Sequence, residues 1–250
     1  MNTILEVLDL NVFYKQQTKF VFEKKITKQI LKNITFSIGQ GEVLGLVGES
    51  GCGKSTLAKA ILGMVKNVDG TIIHYSDRPQ MIFQDPYGSL NPVKTVGWIL
   101  QEPLRNSGMK NKSLMRKKAI EMLQKVGLEE KYMEHFSHQL SGGQRQRVCI
   151  AAALMLEPKL LIADEPLSAL DVTIQLQMVT LLLRLQREMG LAILFISHDL
   201  RIVYQMCDHV MIMKHGEIVE EGEVDKVYFS PQHSYTKTLL DSAGIQNRVK

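Results

Sequence analysis

Glycines at 48, 51 and 53 stand directly ahead of Lys54 and Ser55, in the run Gly48-Glu49-Ser50-Gly51-Cys52-Gly53-Lys54-Ser55. Without a Cβ at those positions the backbone curls so that successive N–H groups face an anion. The lysine adds a point charge for β- and γ-phosphate oxygens, and the hydroxyl after it is a ligand for Mg²⁺. A helix running on through Thr56 aims its positive end at the same anion. The segment reads as a phosphate loop, with Cys52 at a free position as a small space-filler.

A second chemical element is Leu160-Leu161-Ile162-Ala163-Asp164-Glu165, an apolar strand that delivers two acids to its C-terminal edge, where ligands of α/β sheets collect. Asp164 suits Mg²⁺ held through water, and Glu165 suits a general base that polarises an attacking water. Adjacent acids after a strand also occur in plain turns, so the pair decides nothing alone. Gln84, in Phe83-Gln84-Asp85-Pro86, offers an amide that ligates Mg²⁺ or orients water without adding charge. His198 closes the apolar run that begins at Leu191; a lone histidine is usually structural, but this one ends a strand.

Between the phosphate loop and the acids lies Leu140-Ser141-Gly142-Gly143-Gln144. On composition the phosphate-loop spacing arises by accident in roughly 1% of chains this long, and this five-residue run far less often. Together and in this order the motifs resemble the ATP-binding cassette (ABC) family, in which two ATPs are clamped between two facing cassettes. The resemblance implies that Ser141, Gly142, Gly143 and Gln144 face the ATP held by the lysine of the other cassette. It makes Gln84 the residue of the Q-loop, which joins the two subdomains and touches the membrane partner, and His198 the switch histidine at the γ-phosphate. Asp171, in Ser168-Ala169-Leu170-Asp171, matches the D-loop that crosses to the second cassette. Tyr14 is the candidate to stack on adenine, with Phe13 as its alternative.

The elements that must position these groups follow from periodicity. Ile34, Phe36 and Ile38 alternate with Thr35 and Ser37, a strand with one buried face. Ile4 to Val12 has the same character, and the polar stretch Lys15 to Lys28 reads as a long hairpin loop between them. Glu42 to Val47 is a central strand and Ser55 to Val65 a helix, the context a phosphate loop requires. Short strands are expected at Thr71–Tyr75 and Met81–Phe83. Helices are expected at Ser113–Val126, with Leu114, Ala119, Met122, Leu123 and Val126 inward and Gly127 at the C-cap, and at Gly143–Leu156. Lys159–Ala163 is a buried strand, Val172–Met189 an amphipathic helix closed by Gly190, and Leu191–Ser197 another strand. Val210–Met213 and Glu217–Glu220 form a hairpin across a glycine turn. The family implies an α/β fold, a P-loop NTPase (RecA-like) core with an N-terminal antiparallel β subdomain and an inserted α-helical signature subdomain. On that reading residues 1–250 are one ABC ATPase domain, the helical insert spans about 93–157, and a short family tail spans about 223–250.

Composition narrows the class further. In 250 residues, 45% are hydrophobic and 22% charged, the balance of an ordinary globular protein. The apolar runs fall short of a spanning helix, and the first residues carry no secretory signal pattern. Three scattered cysteines suggest reduced thiols. A net charge of +4 is too weak to argue for nucleic acid. Two basic stretches, Lys15 to Lys32 and Arg105 to Lys118, read as solvated faces, with anionic headgroups as the lesser alternative.

Within the family, Asp85-Pro86-Tyr87-Gly88-Ser89-Leu90-Asn91-Pro92 and the tail Ser230-Pro231-Gln232-His233-Ser234-Tyr235-Thr236 are similar to cassettes of the peptide/nickel importer group. Leu167 stands where threonine is frequent. No cysteine-rich tail follows Tyr235, so no iron–sulfur cluster is expected. The group resemblance implies ATP and Mg²⁺ as cofactors and a peripheral place on the cytoplasmic face of the membrane. It also implies a second, paralogous ATPase subunit, two permeases and an extracytoplasmic binding protein for peptide, nickel or metal–chelate. A soluble ABC ATPase working on DNA or ribosomes is the competing class, but Gln84 and Ser141 stand too close in sequence for a coiled-coil arm. A silent regulatory cassette is disfavoured by the presence of Lys54, Asp164, Glu165 and His198 together.

Overall fold

Every residue of Val43–Val47 is buried, as an apolar run without polar alternation requires of a strand covered on both faces. A computed structural model describes residues 2–15 and 27–245. This strand is β3, preceded by β1 (Thr3–Lys15) and β2 (Thr27–Gly39) and followed by α1 (Lys54–Ile61) and β4 (Val68–His74). Next come β5 (Gln80–Ile82), α2 (Pro86–Ser89), α3 (Val96–Asn106), α4 (Lys112–Lys125), α5 (Gly142–Leu154), β6 (Leu160–Asp164) and α6 (Val172–Met189). The chain closes with β7 (Ala192–Ile196), α7 (Leu200–Met206), β8 (His209–Lys214), β9 (Glu217–Glu223), α8 (Val224–Phe229) and α9 (Ser234–Ser242). Contacts divide it into two compact units, Ser76–Leu191 and the residues on either side of that segment.

In the unit built from both ends of the chain, β1 pairs antiparallel with β2 and with β4. Leu31, Ile34, Phe36 and Ile38 of β2 are buried while Asn33, Thr35 and Ser37 are exposed, the expected one-sided strand. β1 and β2 reach further than expected, to Lys15 and back to Thr27; the rest of the polar excursion, residues 16–26, lies outside the described residues. A second sheet of this unit sets β3 parallel to β7 and β8, with β9 antiparallel on β8. α1 buries Leu57, Ala58, Ala60 and Ile61. It stops four residues short of the expected end, where Met64 is 59% exposed and has no core to cover.

In the inserted unit β5 and β6 run parallel, and α3 to α6 supply most of the apolar packing. α4 starts at Lys112 because Asn111 caps it, Oδ1 accepting from Leu114 N–H at 3.0 Å. Leu114, expected on the inner face, is instead 41% exposed. Met115, Ala119, Met122 and Leu123, at i, i+4, i+7 and i+8, make the tighter stripe and take the core positions. α6 begins and ends as the sequence predicts. α2, α7, α8 and α9 have no counterpart among the expected elements, and α3 falls within the span expected to be helical without having been singled out there.

Where described, most side chains of the basic stretches are solvated, and some of them are paired. Lys32 meets Glu217 at 2.9 Å, Arg116 meets Glu134 at 3.0 Å and Lys118 meets Glu157 at 3.3 Å. Cys52, Cys149 and Cys207 are buried thiols, and none is in a disulfide among the described residues. No helix among the described residues is long and apolar enough to cross a membrane.

Candidate functional site

The phosphate loop leaves the C-terminal end of β3 and enters α1. Gly48 packs so closely that a Cβ would lie 2.3 Å from the Met213 carbonyl oxygen. Gly53, at φ 120°, makes the turn into the helix in a backbone region closed to most L-residues. Lys54 is 6% exposed, and its Nζ donates to the carbonyl oxygens of Gly48, 2.8 Å, and Glu49, 3.0 Å. The ammonium is thus held inside the loop, where a phosphate oxygen would complete its hydrogen bonds. Glu49, Ser50, Gly51 and Ser55 are exposed, and Thr56 is half-buried.

Among the described helices of eight residues or more, α1 alone has no side-chain cap at its N-terminus. Thr95, Asn111, Ser141, Asp171 and His233 cap α3, α4, α5, α6 and α9. The first N–H groups of α1 are therefore left for an external acceptor, and the helix dipole favours an anionic one. Cys52 is 8% exposed behind the loop. Burial pushes its thiol above the ordinary value, against the opposing pull of Lys54. In the same unit His198 is exposed just past β7, and Tyr14 lies near the end of β1, 41% exposed.

In the inserted unit Asp164 ends β6 and is 4% exposed. Glu165 follows at φ 46°, a left-handed conformation unusual for a residue with a side chain. That turn takes its carboxylate off the strand line and towards Gln84, whose Nε2 donates to Glu165 Oε2 at 3.1 Å. Two residues singled out separately in the sequence are thus in direct contact.

Ser141 is exposed at the N-terminus of α5, its Oγ accepting from Gln144 N–H at 3.3 Å. Gln144 returns the bond, Oε1 accepting from Ser141 N–H at 2.9 Å, and its Nε2 donates to the Tyr132 hydroxyl at 2.9 Å. This capping box engages both ends of the Gln144 amide, so that side chain supports Ser141 rather than reaching outward. Tyr132 is a supporting residue that no local sequence signal marks. Gly142 and Gly143 form the first turn of α5; a Cβ on Gly143 would come within 3.0 Å of Ile174 Cγ2. Asp171 caps α6, its Oδ1 accepting from Ile174 N–H at 3.0 Å.

The family model described as ABC transporter matches residues 31–168, more than half of the 250-residue chain. The chain belongs to the ABC transporter family. This cassette is 45% identical over 260 aligned residues to the oligopeptide transport ATP-binding protein OppF of Salmonella typhimurium, covering 97% of this chain and 78% of the relative. It is 41% identical to the dipeptide transport ATP-binding protein DppF of Escherichia coli, covering 96% and 76%. A glutathione import ATP-binding protein, GsiA of Salmonella choleraesuis, matches at 45% identity over 88% of this chain and 38% of its own length. Among solved structures, a dimeric ATP-binding cassette bound to ADP and Pi superposes with a TM-score of 0.75 at 28% identity, covering 88% of this chain and 99% of that one. The cbiO1 cassette of Clostridium perfringens, part of a cbiONQ transporter complex, gives 0.78 at 29% identity over 100% and 96%. The cassette therefore has the P-loop NTPase fold with its antiparallel β subdomain, sits in the peptide importer group, and hydrolyses ATP in a reaction coupled to transport.

Proposed function

We propose that this cassette is one of two paired ATPase subunits of a peptide importer, each ATP being held by the phosphate loop of one cassette and the Ser141 segment of the other. The observation that carries this reading is the state of Ser141. It is exposed at a helix N-terminus, and its oxygen accepts from Gln144 N–H, which leaves the hydroxyl proton for a phosphate oxygen. One chain thus presents two phosphate-directed helix starts, α1 and α5, and a facing copy or paralogue lets each be used.

On this reading the backbone of Gly48 to Gly53, with Lys54 and Thr56, binds the β- and γ-phosphates. Tyr14 stacks on adenine, and His198 contacts the γ-phosphate. Ser55, Asp164 and Gln84 offer hydroxyl, carboxylate and amide oxygens, the hard donor set Mg²⁺ prefers, so the residues fit that metal. Bound there, Mg²⁺ would offset phosphate charge in the transition state. Glu165 accepts a proton from the attacking water, and Asp171 lies on the loop that meets the second cassette. Closure of the pair builds the complete site and excludes water; hydrolysis reopens it.

The partners in this reading are a paralogous ATPase, two permeases that span the membrane, and an extracytoplasmic binding protein, with the cassette on the cytoplasmic face. Cargo is of the peptide class, supported by relatives named for oligopeptide, dipeptide and glutathione transport; nickel and metal–chelate are the alternatives within the group. Those names also disfavour a role on DNA or ribosomes. Purification of the native complex tests the proposal. Two membrane proteins and a second ATPase should accompany the cassette with a bound peptide, and recovery without any membrane protein would contradict it.

A further inference from the structure

The tail segment around Tyr235 has no part in the catalytic reading, yet it touches the phosphate loop. The Tyr235 hydroxyl accepts the backbone N–H of Glu49 at 3.3 Å. On the other side of that residue the Glu49 carbonyl accepts from Lys54 Nζ at 3.0 Å. We propose that Tyr235 is a positioning residue for ATP binding, fixing the Glu49 residue and through it the Lys54 ammonium.

The tyrosine is well anchored for this role. The residue is 7% exposed, and Lys214 Nζ lies 4.6 Å from the ring centroid, a cation–π contact that keeps the ring from swinging away. Lys214 directly follows Met213, whose carbonyl lies under Gly48, so the end of β8 supports both the loop and its tether. The start of α9 is itself fastened. Glu220 accepts from the N–H groups of Gln232 at 2.7 Å and His233 at 3.0 Å, and His233 Nδ1 caps the helix by accepting from Tyr235 N–H at 3.1 Å. A cavity of about 370 Å³ adjoins Glu49 and Tyr235, so the loop has room to shift and the hydroxyl limits that freedom. Burial and the Glu49 carboxylate raise the Tyr235 phenol above its usual range, which keeps it a neutral hydroxyl at physiological pH.

The inference rests on the phosphate-loop reading, so its test carries Lys54→Ala beside Tyr235→Phe in the full chain. Tyr235→Phe keeps the ring and the Lys214 contact and removes only the oxygen. ATP affinity, measured by calorimetric titration, should weaken about five-fold, the scale of one hydrogen bond, with the melting temperature of the nucleotide-free protein lowered by no more than about 4 °C. Lys54→Ala should weaken it much further. If Lys54→Ala binds ATP normally, the phosphate-loop reading fails. If Lys54→Ala loses affinity while Tyr235→Phe keeps it, the positioning role alone is overturned. Should Tyr235→Phe not fold, 3-fluorotyrosine placed at position 235 decides. Its ¹⁹F resonance should move on adding ATP, and an unmoved resonance overturns the role.

Discussion

Gln84 and Glu165 stand in direct contact, Nε2 to Oε2 at 3.1 Å, across 81 positions of sequence. The amide holds the carboxylate proposed above as the general base, and Glu165 itself stands in a left-handed turn, φ 46°. Such a conformation costs a non-glycine residue on the order of 1 kcal/mol and persists where the surroundings over-determine it. Removing the amide in Gln84→Ala should lower kcat about ten-fold, because a general base must be oriented to work, while ATP affinity measured without Mg²⁺ stays as it was. An unaltered kcat would show that the contact has no catalytic consequence.

Glu165→Gln should bind ATP and hydrolyse it at least about 100-fold more slowly, the scale of a lost general base. Phosphate release followed beside nucleotide titration separates the two effects. Normal turnover in this variant removes Glu165 from the mechanism.

Gly48→Ala should damage the loop as a whole. The new Cβ would sit 2.3 Å from the Met213 carbonyl, a backbone atom that cannot rotate aside. Overpacking of this kind costs about 1–3 kcal/mol, a fall of several degrees in melting temperature for a chain this size. Calorimetry should show that drop together with lost ATP affinity. An alanine variant as stable and as tight as the parent would mean that β8 yields at Met213.

The thiol of Cys52 should react slowly at neutral pH and faster as pH rises. Burial holds its pKa above the ordinary value, and only the thiolate attacks a disulfide reagent, so the reactive fraction grows through the alkaline range. Burial holds Cys149 up at about 11 and Cys207 higher still, so Cys52 should be labelled first, and ATP should slow it. Equal labelling rates with and without ATP would place the thiol away from the phosphates.

Glu220 supplies an acid-sensitive tether for the tail. Burial raises its pKa, but the N–H groups of Gln232 and His233 and the Thr236 hydroxyl outweigh that, and the net shift is downward. A depressed carboxylate contributes stability that is present above its unfolded value and disappears as pH falls through the folded one. With part of the group open to solvent, its contribution is on the order of 1 kcal/mol. Glu220→Gln should therefore melt about 2–4 °C lower near pH 7, with the gap to the parent closing below about pH 4. A gap that stays constant across that range would show that ionisation of Glu220 is not what anchors the tail.

Local chemistry made much of this protein legible in its sequence. α6 begins and ends where expected because Asp171 caps its first turn and Gly190, at φ 61°, ends it in a left-handed turn. The β3–loop–α1 unit follows from an apolar run, spaced glycines and one lysine. Where local signals compete, tertiary packing decides: Leu114 faces solvent and Met115 the core because the stripe continued by Ala119, Met122 and Leu123 is the one with neighbours to bury against. The short helices α7, α8 and α9 lack the length over which periodicity becomes readable. Contacts between distant positions are silent in the sequence altogether. Neither Gln84 on Glu165, nor Tyr132 on Gln144, nor Tyr235 on Glu49, 186 residues away, follows from any spacing. A hydrogen bond needs two groups within about 3 Å, and for residues far apart along the chain only the folded backbone brings them there.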